Sequence, residues 1–188
     1  MGLDRSTWLE EQHGATVTWL PYDLHPEIPK GGVDRDPSRY AGGIIAELCA
    51  AAGLPLDPPS HVPRTRNALE AAEWARHAHP EAFPAFHRAL FHAHWAEGRD
   101  LEDAEVLAAI AEAHGIPGDD LLASLLLGAA KEGVDRWTEM GQELAISGTP
   151  AWLIDNKVLV PGAQDREVFD RVIARMHEKR PQGEDASG

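Results

Sequence analysis

The sequence predicts an α/β domain interrupted by a large all-helical insertion. Three observations carry this. Residues 16–20, Thr-Val-Thr-Trp-Leu, alternate polar and apolar, as a half-buried strand does. From Arg66 to Leu144 the apolar period is almost wholly helical. The period then returns to two in "AWLI" and "KVLV", on either side of Asp155 and Asn156, a pair suited to a tight turn, so residues 151–160 read as a hairpin.

The elements follow in order. Leu3 to His13 reads as a helix with Leu3, Trp8, Leu9 and Gln12 near one face, ended by Gly14 as a C-terminal cap. The strand at Thr16–Leu20 is limited by Pro21. "HPEIPKGGVDRDPS", rich in proline and glycine, is a loop. Tyr40 to Ala52 is helical and stops at Gly53; "LPLDPPSHVP" is a second loop. Helices are expected over Arg66–His79, Glu81–Glu97, 103–115, Asp119–Gly128 and Ala129–Leu144, punctuated by Gly98, Gly115 and Gly128. After the hairpin an amphipathic helix turns Val168, Phe169, Val172, Ile173 and Met176 inward, and 181–188 is a polar tail. Residues 1–35 and 145–180 therefore form one α/β domain, with 36–144 as its helical insertion.

Composition excludes several classes. Hydrophobic residues are 43% of 188, enough for a packed core. With 17 Lys and Arg against 31 Asp and Glu the net charge is −14, which repels nucleic-acid backbones and anionic lipid, so neither is expected as a partner. No window of 18 apolar residues occurs, and the N-terminus lacks the apolar core of a secretory signal. Gly2 and Ser6 fit a loose myristoylation pattern that the acidic surface argues against. Cys49 is the sole cysteine, so neither an internal disulfide nor a multi-cysteine metal site can form, and a cytoplasmic setting is the default. Surrounded by apolar residues on a helix, Cys49 reads as a buried, inert thiol.

The histidines invite a metal reading, but His87 and His92 are five apart and His92 and His94 face different ways, with His77 and His79 just before. No metal and no cofactor are expected. Asp23, His25 and Glu27 lie in the loop after the strand and read as solvated polar residues.

One placement stands out. In "ISGTPAWLI", Ile146 to Ile154, a proline leads a strand although it has no N–H for a ladder. Together with "VTWLPYDLHPEIP" (17–29), "TRNALEAAEWAR" (65–76), "AFHRALFHAHWAEGRDLEDAEVLAAIAEAHG" (85–115) and "ISGTPAWLIDNKVLVPGAQDREVF" (146–169), it resembles the DsbA family of thioredoxin-like proteins, in its FrnE-like branch. The likeness covers roughly residues 1–178. It implies a thioredoxin-like fold and thiol–disulfide oxidoreductase activity on a thiol- or disulfide-containing protein or a small thiol. It also implies that Pro150 is a cis-proline and that Thr149 and Pro150 face substrate. A homodimer is compatible with it.

The departure from the family is at the N-terminus. The resemblance implies a first strand and a Cys-x-x-Cys at the start of the first helix, whose N-terminus depresses the thiol's pKa. "MGLDRSTWLEEQHG" begins inside that helix and Cys49 does not replace the dithiol. The expectation is a truncated copy of a longer protein that performs no disulfide exchange as it stands. Two alternatives remain. One is a non-catalytic peptide-binding module using Pro150. The other is a glutathione-dependent isomerase or transferase of the kappa or 2-hydroxychromene-2-carboxylate isomerase type. These related enzymes use a serine near the first helix, and Ser6 sits too late to match it and reads as an exposed helix position.

Overall fold

Alanine is the best helix former and the smallest side chain with a Cβ, and its placement organises the larger part of this protein. The computed structural model describes residues 2–40, 43–57 and 60–178. The chain divides into two compact units, one over Leu3–Ser147 and a second from Gly148 onward.

Helix α1 spans Gly2–His13, and a 3-10 helix at Pro37–Tyr40 precedes α2, Ile44–Ala51. The bundle proper comprises α3 (Arg66–Ala78), α4 (Phe83–Trp95), α5 (Ala104–Ala113), α6 (Gly118–Leu127) and α7 (Lys131–Glu143). Helix α3 touches α4, α5, α6 and α7. Toward α4, α5 and α6 it turns Ala68, Ala71 and Ala75, the last two with no exposure, which let neighbouring backbones approach closely. Phe83, Phe86 and Leu90 of α4, Leu107, Ile110 and Ala111 of α5 and Leu121 of α6 fill the space around that alanine face. Local signals set the boundaries. Asp103 caps α5 by accepting from the Glu105 N–H at 2.9 Å, and Gly128 ends α6 in the left-handed region at φ 62°.

A buried carboxylate ties α3 to α7. Glu73, 3% exposed, accepts from Arg76 Nη2 at 2.8 Å and Nε at 2.9 Å, and Trp137 Nε1 of α7 lies 3.3 Å from its Oε1. Gly133 makes room for it: a Cβ there would stand 3.0 Å from Glu73 Oε1.

Two expectations are corrected here. The alternation at 16–20 is real, since Val17 and Trp19 are half-buried while Thr16, Thr18 and Leu20 are exposed, but no ladder forms on this stretch among the described residues. Alternation decides which side chains are buried, whereas a strand also needs a neighbouring backbone. The helix expected from Tyr40 starts at Ile44, because Gly43 adopts an extended backbone at φ −97°, ψ 176°; residues 41 and 42 lie outside the described residues, as does the tail at 181–188. The two loops, read as irregular, also carry a two-residue antiparallel pairing, β1 (Val33–Asp34) with β2 (His61–Val62), too short for a periodic signal.

The second unit is a hairpin and a helix. Strand β3, Ala151–Ile154, pairs antiparallel with β4, Val158–Pro161, with Trp152 opposite Val160. Asp155 and Asn156 hold φ 48° and 53°, the left-handed values that Asp and Asn tolerate best. Helix α8, Arg166–Glu178, lays Phe169 edge-on against Trp152 with ring centroids 5.4 Å apart; Phe169 is fully buried and Val160 nearly so.

Candidate functional site

Thr149 and Pro150 stand at the head of β3. The peptide between them is cis. Proline fits here because the position needs only an acceptor: the Pro150 carbonyl takes the Gly162 N–H at 2.8 Å, continuing the hairpin by one pair. Gly162 reaches it from the left-handed region at φ 75°, and its own carbonyl accepts from Trp152 Nε1 at 3.1 Å. The Pro150 backbone is thereby fixed by the ladder and by the Trp152–Phe169 contact, while Thr149 is exposed. An exposed hydroxyl and main chain on a rigid base can hold an extended segment. Neither Thr149 nor Pro150 titrates, so the pair can orient a substrate but not donate electrons or protons to it.

The other residues singled out by sequence belong to the first unit and do separate jobs. His25 Nδ1 and Glu27 Oε1 are 2.9 Å apart, both exposed; a backbone hydrogen bond and then His25 hold the Glu27 carboxyl below its ordinary range. Asp23 departs from the solvated reading. It is 7% exposed, and its N–H donates to Thr138 Oγ1 of α7 at 3.2 Å. Ser6 departs too: it is 5% exposed rather than open to solvent, and its hydroxyl donates to the Leu3 carbonyl at 2.8 Å, because a helical serine readily bonds back within its own turn. Cys49 is a buried free thiol. His87 packs among Trp19 at 4.7 Å, Phe83 at 5.1 Å and Phe91 at 5.2 Å, and burial with the nearby Arg88 charge pushes its pKa down to about 4. His92 meets Glu97 at 3.1 Å, and burial lowers the His94 pKa. Among the described residues no group of three or more His, Cys, Asp or Glu could hold a metal.

Sequence reasoning missed the residues that fasten the segment leading to Gly148. The Tyr22 hydroxyl donates to the Ile146 carbonyl at 2.8 Å, and the Tyr22 ring lies on α7 where Gly141 has no side chain. A Cβ at Gly141 would stand 2.5 Å from Tyr22 Cε2. We expect Gly141→Ala to displace the ring and destabilise by about 1–3 kcal/mol despite alanine's better helix propensity. Urea unfolding would check this; a variant as stable as the parent would show that the ring is free to move. The signal available was the aromatic Tyr22 next to Pro21, but nothing in one sequence pairs it with a glycine over a hundred positions away.

A helix-rich α/β chain with a Thr-Pro-headed hairpin against a final helix is thioredoxin-like in architecture. The chain belongs to the DSBA-like thioredoxin domain family, whose model matches residues 2–174. Among individual proteins it is similar to the uncharacterized protein YwbO of Bacillus subtilis, 25% identical over an alignment of 172 residues that covers 87% of this chain and 84% of that one. Among solved structures it resembles a probable DsbA oxidoreductase from Streptomyces coelicolor, with TM-score 0.75 and 18% identity over 95% of this chain and 83% of the other. It also resembles a 2-hydroxychromene-2-carboxylate isomerase, with TM-score 0.72 and 20% identity over 94% and 88%. At such identities the two structural likenesses show the fold alone. Among the described residues no helix is long and apolar enough to cross a membrane.

Proposed function

We propose that this chain is a substrate-docking member of the DsbA-like family, FrnE-like in type, that holds extended segments of thiol- or disulfide-containing proteins at Thr149 and Pro150. The observation that carries this reading is the exposed Thr149 beside a Pro150 backbone fixed by the hairpin, in a chain whose family match runs over residues 2–174. Disulfide exchange proceeds by thiolate attack through a mixed disulfide, and a dithiol enzyme needs two cysteines. This chain has one, Cys49, and it is buried. Binding is therefore its contribution, without turnover. A cytoplasmic setting accords with a single unpaired cysteine in 188 residues.

The test has two arms. In a dithiothreitol-driven insulin reduction assay the chain should add nothing to the background rate. By fluorescence anisotropy it should bind fluorescein-labelled, S-methylated insulin B chain, and Thr149→Trp should weaken that binding by about tenfold, the equivalent of one or two lost hydrogen bonds. Turnover above background would overturn the reading. Saturable glutathione binding with no affinity for the B chain would move the assignment to the glutathione-dependent isomerase class.

A further inference from the structure

Helix α6 is apolar on both of its sides. After Asp120 the next seven residues, Leu121 to Leu127, carry no charge. On the inner side Leu121 and Ser124 are buried and Leu125 packs against the core. Asp119, Ala123, Leu126 and Leu127 follow one another at i, i+4, i+7 and i+8, and all four are exposed, so they form one outward stripe. Leu126 and Leu127 are 88% and 80% exposed, while no other large apolar side chain among the described residues exceeds the 43% of Leu20 and Phe91. A helix that is apolar all round belongs in an interior, yet within one chain α6 is covered on one side only.

The two ends of the stripe carry opposite charge. Asp119 and Asp120 stand exposed in the first turn. Lys131, also exposed, stands just beyond the other end, its N–H donating to the Gly128 carbonyl at 3.1 Å. None of these three side chains has an ion-pair or hydrogen-bond partner among the described residues. Such a stripe is complementary to itself under a two-fold axis. Set antiparallel, Asp119 and Asp120 of each copy reach Lys131 of the other, Leu126 lies against the small Ala123, and the helix dipoles run in opposite directions, which is favourable. A parallel pairing would put Asp against Asp.

From this we infer that the outward face of α6, with Ala123, Leu126 and Leu127 between the Asp119–Asp120 pair and Lys131, is a homodimer interface in which two copies pair these helices antiparallel. The interface uses no residue of the hairpin, so it is independent of peptide binding at Thr149 and Pro150. A helix of ten residues is about 15 Å long, so the face falls short of the roughly 800 Å² per partner of a standard interface. A weak dimer follows, with a dissociation constant of about 10–100 µM. The net charge of −14 repels a second copy at long range, and about 0.15 M salt confines that repulsion to about 8 Å.

Sedimentation equilibrium of the full chain at that salt, from about 5 to about 300 µM, reads the association. The double substitution Leu126→Asp with Leu127→Asp, its fold checked by circular dichroism, should weaken it by about tenfold or more. Charge reversal gives a second reading that does not depend on the leucines. Lys131→Glu in one variant, and Asp119→Lys with Asp120→Lys in another, should each weaken self-association by about fivefold. An equimolar mixture of those two variants should dimerise as well as the parent, because every Asp or Glu then faces a Lys. A parent that stays monomeric throughout, a dimer that survives the leucine substitutions, or a mixture no better than its components would each overturn the inference. In the first case, co-sedimentation of the parent with phosphatidylcholine vesicles, lost in the leucine variant, would assign the stripe to lipid instead.

Discussion

Glu73→Ala should cost the first unit about 3 kcal/mol, among the largest effects of any single substitution outside the apolar core. Glu73 is 3% exposed and lies under α7, where its oxygens face Arg76 and Trp137 Nε1. Removing the carboxylate leaves the Arg76 guanidinium, itself only 19% exposed, without its bidentate acceptor. A buried charge that loses its partner costs more than the pair ever contributed. His77, 64% exposed and 3.3 Å from Oε1, can turn to water and adds little. Urea unfolding followed by tryptophan fluorescence measures the effect through Trp74 and Trp137. Glu73→Gln should fall between, since an amide can still accept from Trp137 but carries no charge for Arg76. A Glu73→Ala midpoint indistinguishable from the parent would refute the lock between α3 and α7.

Acidification should destabilise the same unit through His87, over a window that opens at the ordinary imidazole pKa of 6.5. Its imidazole sits between Trp19, Phe83 and Phe91, and burial, with the Arg88 charge behind it, lowers the pKa from 6.5 to about 4. The neutral ring is favoured in the folded state and the unfolded ring takes up a proton first. As pH falls from 6.5 toward 4 the unfolded state therefore gains protons the folded state refuses, and stability drops, by up to about 3 kcal/mol once both forms are charged. Above 6.5 the group has no effect. Glu73 acts in a lower window. Burial pushes its carboxyl up, but the hydrogen bonds and charge of Arg76, and then His77, outweigh that and hold it below 4.5, so its stabilisation is lost only under more acidic conditions. Unfolding free energies at pH 7.5 and pH 4.5 for the parent and His87→Phe provide the check. The parent should lose about 2 kcal/mol more than the variant over that interval. Equal losses would show that His87 is open to water.

Much of the fold was legible because helices declare themselves locally. Asp103, Gly115 and Gly128 mark boundaries with residues whose backbone or capping preference is intrinsic, and the Ala-rich and aromatic spacing of α3 and α4 follows from a period of 3.6. The hairpin was legible for the same reason, from Asp155 and Asn156 between two short apolar runs. What was not legible depends on distant partners. The 16–20 segment has the side-chain pattern of a strand without a ladder among the described residues. Ser6 and Asp23 are buried by neighbours that no local rule identifies, and Glu73 is a charged residue whose burial rests on Gly133 and Trp137, about sixty positions on. At Thr149 and Pro150 the odd placement of the proline was visible in the sequence. The pairing of Gly162 with Pro150 was not, because it follows from which carbonyl the Gly162 N–H selects.

The alanine face of α3 has a consequence for how this protein can change. Ala71 and Ala75 have no exposed surface and lie in the core cluster with residues of α4, α5 and α6, so a larger side chain at either position would have to move a backbone rather than fold itself aside. Leu126 and Leu127, at 88% and 80% exposure, present far more apolar surface, yet almost any residue could stand there with little effect on packing. In this bundle mutational tolerance runs opposite to hydrophobicity: the side chains that contribute least to the apolar inventory have the fewest acceptable replacements.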